Sequence, residues 1–203
     1  MRRLTALAIA IALIILSVKF TLNFKPLYYS DIDLLNIEAN SDLSQEEIKG
    51  AYDYLIYYIN SDEDISFNIP GLPSSEAGAI HFREVKGIFT MLDYLLYGCL
   101  AAALYGIYYC TKKREFSFLK LSSNLILIIS AAAALAFGIN FDFAFTLFHK
   151  LFFANDYWLF DPATDPVINI LPAEFFFHCL MLIVACIVVS SLALRLAERK
   201  LRS

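Results

Sequence analysis

Charge is scarce in this chain. Asp, Glu, Lys and Arg make up 18% of its 203 residues, whereas soluble domains carry about 25%. The few cations form no stripe interleaved with aromatics outside the ends of the apolar runs, which argues against a nucleic-acid partner. Glycine is also scarce, at 7 residues, and nowhere forms a loop that would cradle a nucleotide phosphate. The 4 cysteines, Cys99, Cys110, Cys179 and Cys186, all lie in apolar stretches and lack C-x-x-C spacing. Neither a structural disulfide nor a thiolate zinc site is therefore expected, and they read as small packing residues. No G-x-S-x-G elbow and no H-E-x-x-H pair occurs. Internal repeats and low-complexity linkers are missing as well.

Apolar residues are abundant, at 59% of the chain. They gather in four runs, at about 4–24, 88–110, 119–140 and 173–194. Each approaches the roughly 20 residues a helix needs to cross the hydrocarbon. The expected fold is an all-α membrane protein: one integral domain, residues 1–203, with four transmembrane helices. The first run follows Arg2 and Arg3 like a signal peptide, but no clear small-x-small cleavage site follows it, so it reads as an uncleaved anchor. Lys19 near its end can snorkel to the boundary.

Orientation follows from the cations beside the spans. Lys112, Lys113 and Arg114 lie in the connection 111–118, and Arg195, Arg199, Lys200 and Arg202 in the tail 195–203. With Arg2 and Arg3 they mark one side as cytoplasmic, holding both termini. Segments 25–87 and 141–172 are then extracytoplasmic, and they carry nearly all the acidic residues. In the longer one, Ser44 and Glu47 have capping-box spacing. Ile48, Tyr52, Leu55, Ile56 and Ile59 then recur at helical spacing, which predicts an amphipathic helix of about four turns roofing the bundle or lying on the membrane. Residues 62–70 read as extended, Pro70, Gly71 and Pro73 as a turn, and Ser74 or Ser75 as the cap of a helix leading into the second span.

Two of the 3 histidines are placed suggestively. His81 precedes the second span and His149 follows the third. At about 1.5 Å rise per residue, helical flanks would bring both roughly 10 to 12 Å beyond the hydrocarbon edge. Two readings stay open: unrelated interfacial imidazoles, or a paired site. Glu84, one turn after His81, has the spacing of a carboxylate that fixes a histidine tautomer. After His149 comes a dense run with Asn155, Tyr157, Trp158, Asp161 and Asp165, in which two Asp-Pro steps make a rigid loop. The alternative for its aromatics is an interfacial belt. Asp93 lies near the outer end of the second span, and His178 near the start of the fourth reads as a packing or interfacial residue.

The run Phe148 to Pro162, FHKLFFANDYWLFDP, with Thr164, Asp165 and Leu171-Pro172 after it and His81-x-x-Glu84-Val85-Lys86 before it, resembles the bacterial lipoprotein intramolecular transacylase family. The resemblance covers essentially the whole chain, although the family usually has Asp where Glu84 stands. It implies an acyltransferase that acts on a diacylated lipoprotein in the cell membrane, typical of certain Gram-positive bacteria. The sn-2 acyl chain of the diacylglyceryl-cysteine moves to the α-amine, giving a lyso-form lipoprotein. It also implies His81 as general base and His149 as hydrogen-bond donor, roles that are exchangeable. Glu84, Lys86, Tyr157, Trp158, Asp161 and Asp165 would support the site or bind substrate. No cofactor, no metal and no nucleic acid are expected, and membrane lipid is a further partner. A membrane hydrolase using the same histidines and a non-catalytic lipid- or partner-binding scaffold remain alternatives.

Overall fold

The structure, a computed structural model, describes residues 1–202. It is helical, with no strand among the described residues. The helices are α1 (Arg2–Asn23), α2 (Lys25–Leu34), α3 (Gln45–Asn60), α4 (Glu76–Lys112), α5 (Ser117–Ile139), α6 (Phe141–Phe152), α7 (Val167–Ile170) and α8 (Ala173–Arg202). Four of them, α1, α4, α5 and α8, are long and apolar enough to cross a membrane. The chain is a multi-pass membrane protein. It divides into two compact units, the first made of Met1–Thr21, Leu92–Ile139 and the stretch from Leu180, the second of Leu22–Met91 and Asn140–Cys179.

In the first unit α1 is the common neighbour. Its Ala6, Ala8 and Ile9 pack with Ala103, Cys110, Phe118 and Leu119. Ala12 and Ile15 meet Leu96 and Cys99, and Ala10 meets Ile126 and Ile187. Small side chains at these points let helix backbones approach where lipid provides no hydrophobic drive to pack. Several polar groups here bond across to neighbouring helices, as a water-free interior favours. Ser122 donates to the Ala6 carbonyl at 3.2 Å, Ser123 and Ser191 share a hydrogen bond of 2.7 Å, and Arg195 Nε donates to Ser123 at 2.8 Å. Lys19 pairs with Asp93 at 2.5 Å. All four cysteines are free thiols.

The second unit is built on aromatic packing. Tyr28 stacks on Tyr52 with ring centroids 3.8 Å apart, meets Phe175 edge-on at 5.0 Å, and donates its hydroxyl to the Ile170 carbonyl at 2.7 Å. Helix α3 has both bonds of the capping box, and its expected apolar face is buried in this core. Helix α2 was not anticipated from the sequence. Pro26 opens it, where proline's missing N–H is harmless. After α3 the chain runs irregularly to Ser75, turning at Gly71, whose φ of +76° lies in the left-handed region that glycine tolerates. Ser75 Oγ accepts the Gly78 N–H at 3.0 Å and so caps α4, whose first turns carry His81 and Glu84.

Candidate active site

Within the second unit, α4 and α6 bring the two histidines together. Asn140 caps α6 by accepting the Phe143 N–H at 3.0 Å. The helix is two-faced: Phe143, Leu147 and Leu151 are exposed, whereas Ala144 and His149 are buried. His81 is 6% exposed and His149 9%, and their ring centroids are 5.9 Å apart. Phe153 lines both, 4.7 Å from His81 and 5.6 Å from His149. The His149 carbonyl accepts the Phe153 N–H at 2.8 Å as α6 ends, so one residue supplies an imidazole and positions the shared wall. Phe160 closes on His81 at 5.4 Å, and Trp158 stacks on His149 at 4.6 Å and 26°.

The hydrogen bonds distinguish the two rings. His149 Nδ1 lies 2.8 Å from the Phe145 carbonyl. A carbonyl accepts only, so Nδ1 carries the hydrogen and Nε2 keeps its lone pair. His81 Nδ1 is buried with no partner. An orphaned N–H is rarer than an unused lone pair, which favours the tautomer with hydrogen on Nε2. The pair thus offers one acceptor and one donor. Burial pushes the His149 imidazole below its ordinary 6.5, and the bond to Phe145 opposes that shift. Trp158 Nε1–H is likewise buried without a partner. The buried aromatic cluster therefore holds an acceptor nitrogen, an imidazole N–H and an indole N–H, groups of the kinds that acyl transfer can use.

Over residues 3–176 the chain matches the family described as lipoprotein intramolecular transacylase Lit. The chain belongs to this family. It is 38% identical to the membrane integral lipoprotein intramolecular transacylase Lit from Bacillus cereus, whose in meso structure superposes with a TM-score of 0.95, covering 98% of this chain and 93% of that one. Structures of that protein with a histidine replaced by arginine or by alanine also match at 38% identity, each with a TM-score of 0.90. These cover 98% of this chain and 89% and 91% of theirs. Comparison with curated proteins yields no match.

The remaining candidates of this transacylase are spread more widely. Glu84 does not bond His81; its Oε1 accepts the Asn155 amide at 2.8 Å. Lys86 donates to the Glu63 carbonyl at 2.6 Å and lies over the Tyr58 ring. The Tyr157 side chain is exposed. Asp161 shapes the loop by accepting the Ala163 N–H at 2.9 Å. Asp165 is buried and accepts the Ser75 N–H at 2.8 Å and the Thr164 hydroxyl at 2.9 Å. His178 pairs with buried Asp31, its Nδ1 lying 2.8 and 2.9 Å from the two carboxylate oxygens. That partner is 147 positions away and gave no signal in the sequence. Phe145, Phe153 and Phe160 were not anticipated either; only the i−4 spacing of Phe145 from His149 hinted at the carbonyl bond.

Proposed function

We propose that this transacylase moves the sn-2 acyl chain of a diacylglyceryl-cysteine to the cysteine's own α-amino group, with His149 as the general base and His81 as a hydrogen-bond donor. These are the expected roles exchanged. The observation that carries the assignment is the His149 Nδ1 bond to the Phe145 carbonyl, which leaves Nε2 as the acceptor. The α-amine, once neutral, attacks the ester carbonyl carbon. His149 Nε2 takes the N–H proton of the adduct and returns it to the glycerol oxygen as the C–O bond breaks. His81 Nε2–H and Trp158 Nε1–H stabilise the oxyanion between those steps. An amide forms, an ester is lost and a glycerol hydroxyl appears, so atoms balance without a cofactor.

Amine and ester belong to one molecule. Well-oriented intramolecular reactions reach effective molarities of about 10⁵ to 10⁸ M, a scale on which water does not compete, and the aromatic walls of the site disfavour it further. The charge pattern supports cytoplasmic termini and a site at the outer leaflet, where lipid-anchored substrates reside. Mass spectrometry of lipoprotein N-termini, with and without the enzyme, tests the reaction. The expected product has unchanged mass, one chain resistant to mild base and a blocked α-amine. A lighter lipopeptide with free fatty acid would identify a hydrolase instead, and a heavier triacylated one a transferase using phospholipid.

A further inference from the structure

Glu84 presents a carboxylate that the acyl-transfer steps leave unused. Its Oε1 is held by Asn155 at 2.8 Å, and Asn155 is itself oriented by accepting the Tyr157 N–H through Oδ1 at 3.1 Å. Its Oε2 is buried and has no hydrogen-bond partner. No ion pair among the described residues includes Glu84. The nearby cation Lys86 is engaged by the Glu63 carbonyl, and Arg83 interacts with Tyr58. A buried carboxylate oxygen without a partner is unfavourable until a cation or donor reaches it.

The position of this oxygen is set by the same elements that build the site. Glu84 lies one turn after His81 on α4, and residues three apart on a helix are neighbours. Asn155 leads into Trp158, which stacks on His149, which faces His81. The contacts therefore close a ring around the reacting centre, with Glu84 Oε2, His81 Nδ1 and Trp158 Nε1 all unpartnered. No group of three or more potential metal ligands occurs among the described residues, so a single buried carboxylate oxygen suits a small organic cation better than a metal cage.

We propose that Glu84 Oε2 is the subsite for the α-ammonium of the lipid-bearing N-terminal cysteine, and that it restricts productive binding to substrates with a free N-terminus. The proposal rests on the transacylase reading above. Near neutral pH an α-amine with a pKa of about 8 arrives mostly as the cation. The carboxylate accepts an N–H from that cation. The ammonium gives up one proton to bulk solvent before attack, and the carboxylate keeps a weaker bond from an N–H of the neutral amine, so the nitrogen stays anchored. Glu84 is thus a substrate-binding residue that determines specificity, and proton transfer remains with the histidines.

The test uses full-length enzyme in detergent and two ether-linked, unreactive diglyceryl-cysteine lipopeptides, one with a free α-amine and one N-acetylated. Wild type is expected to bind the free amine about 10- to 100-fold more tightly, the range of a charge-assisted hydrogen bond. Glu84→Gln keeps the acceptor for Asn155 but loses the charge, and should bind both probes alike. Glu84→Asp should recover part of the preference. A wild type indifferent to acetylation would overturn the proposal whatever the variants do, and so would a Glu84→Gln that retains the full preference. Conversion of the matching ester substrate by wild type is measured alongside. Failure of that conversion overturns the transacylase reading, whereas conversion without amine preference overturns only the ammonium subsite.

Discussion

Asp165 and Gly78 are in direct opposition: a Cβ built on Gly78 would fall within the van der Waals shell of Asp165 Oδ1. That oxygen accepts the Ser75 N–H at 2.8 Å. The buried loop carboxylate thus holds the first turn of α4, and a glycine is needed there for it to come so close. His81 follows Gly78 by three residues, so this contact fixes where the imidazole starts from. Asp165→Ala leaves a buried N–H without an acceptor and should cost about 1 to 3 kcal/mol in stability. Asp165→Asn, which keeps an oxygen, should cost less. Gly78→Ala should lower both the melting temperature and kcat. A fully active, fully stable Gly78→Ala enzyme would show that α4 is held by something else.

His149→Ala removes the base and should reduce kcat by about 10² to 10⁴-fold, the usual contribution of a positioned proton acceptor. His81→Ala should fall by a similar factor through loss of its N–H. Trp158→Phe keeps a flat ring against His149 and deletes only the indole donor. One oxyanion donor is worth about 10² to 10³ in kcat, and KM should barely move. Purified variants are compared by lipopeptide turnover, with thermal unfolding as the control for folding. An active His149→Ala would remove the paired-histidine mechanism.

Much of this was legible in the sequence because the signals were local and periodic. The four long helices follow from run length, α3 from Ser44, Glu47 and its apolar face, and the start of α4 from Ser75. The two histidines were recognised by their matched position relative to the spans and by the motifs around them. What escaped depends on distant partners. His178 meets Asp31 only through tertiary packing, so its place near the start of the fourth run gave no sign of that partner. Glu84 has tautomer-fixing spacing from His81, yet helix geometry leaves it equally free to face Asn155, and there it bonds. Asp161 and Asp165 resemble one another in sequence, but Asp161 stays in its own loop while Asp165 reaches across to α4. The exchange of histidine roles hinges on one carbonyl, Phe145, because its proton placement is a matter of hydrogen-bond geometry rather than residue type.

The charge distribution carries an expectation about sidedness. With cytoplasmic termini, exposed Lys112 at the end of α4 is shielded from a membrane-impermeant amine reagent on intact cells. Lys49 on α3 is on the opposite side and should react, although more slowly than a free lysine, since its Nζ donates to Gln45 at 3.2 Å and lies over the Tyr29 ring. Lysine mapping by mass spectrometry, with opened cells as the reference, distinguishes the two. Labelling of Lys112 before lysis would reverse the orientation and move the site to the inner leaflet.

The pH dependence follows from the burial of His149. Its imidazole lies below the ordinary 6.5 because burial disfavours the charged form, and the Phe145 carbonyl only partly offsets this. The reaction needs the neutral ring and the neutral α-amine, so turnover should rise from neutral pH toward about 8 as the amine loses its proton, and the further acid limb that belongs to His149 should have its midpoint below 6.5. Stability should follow the same direction. In the unfolded chain the ring takes up a proton near its ordinary value; in the folded chain it does so only at lower pH. Between those values the unfolded state binds more protons, and stability falls as pH falls. The contribution of His149 is complete above about 6.5 and lost on acidification through the folded value. His81 faces the same space, and like charges this close disfavour a second proton, which should sharpen neither limb above 6.5. Turnover and thermal unfolding measured from acid to neutral pH, in wild type and in His149→Ala, separate these effects. The variant should lose the part of the acid sensitivity in unfolding that His149 contributes. An unfolding limb that disappears in His149→Ala and is centred above 6.5 would mean that an anion or water, rather than apolar burial, surrounds the His149 ring.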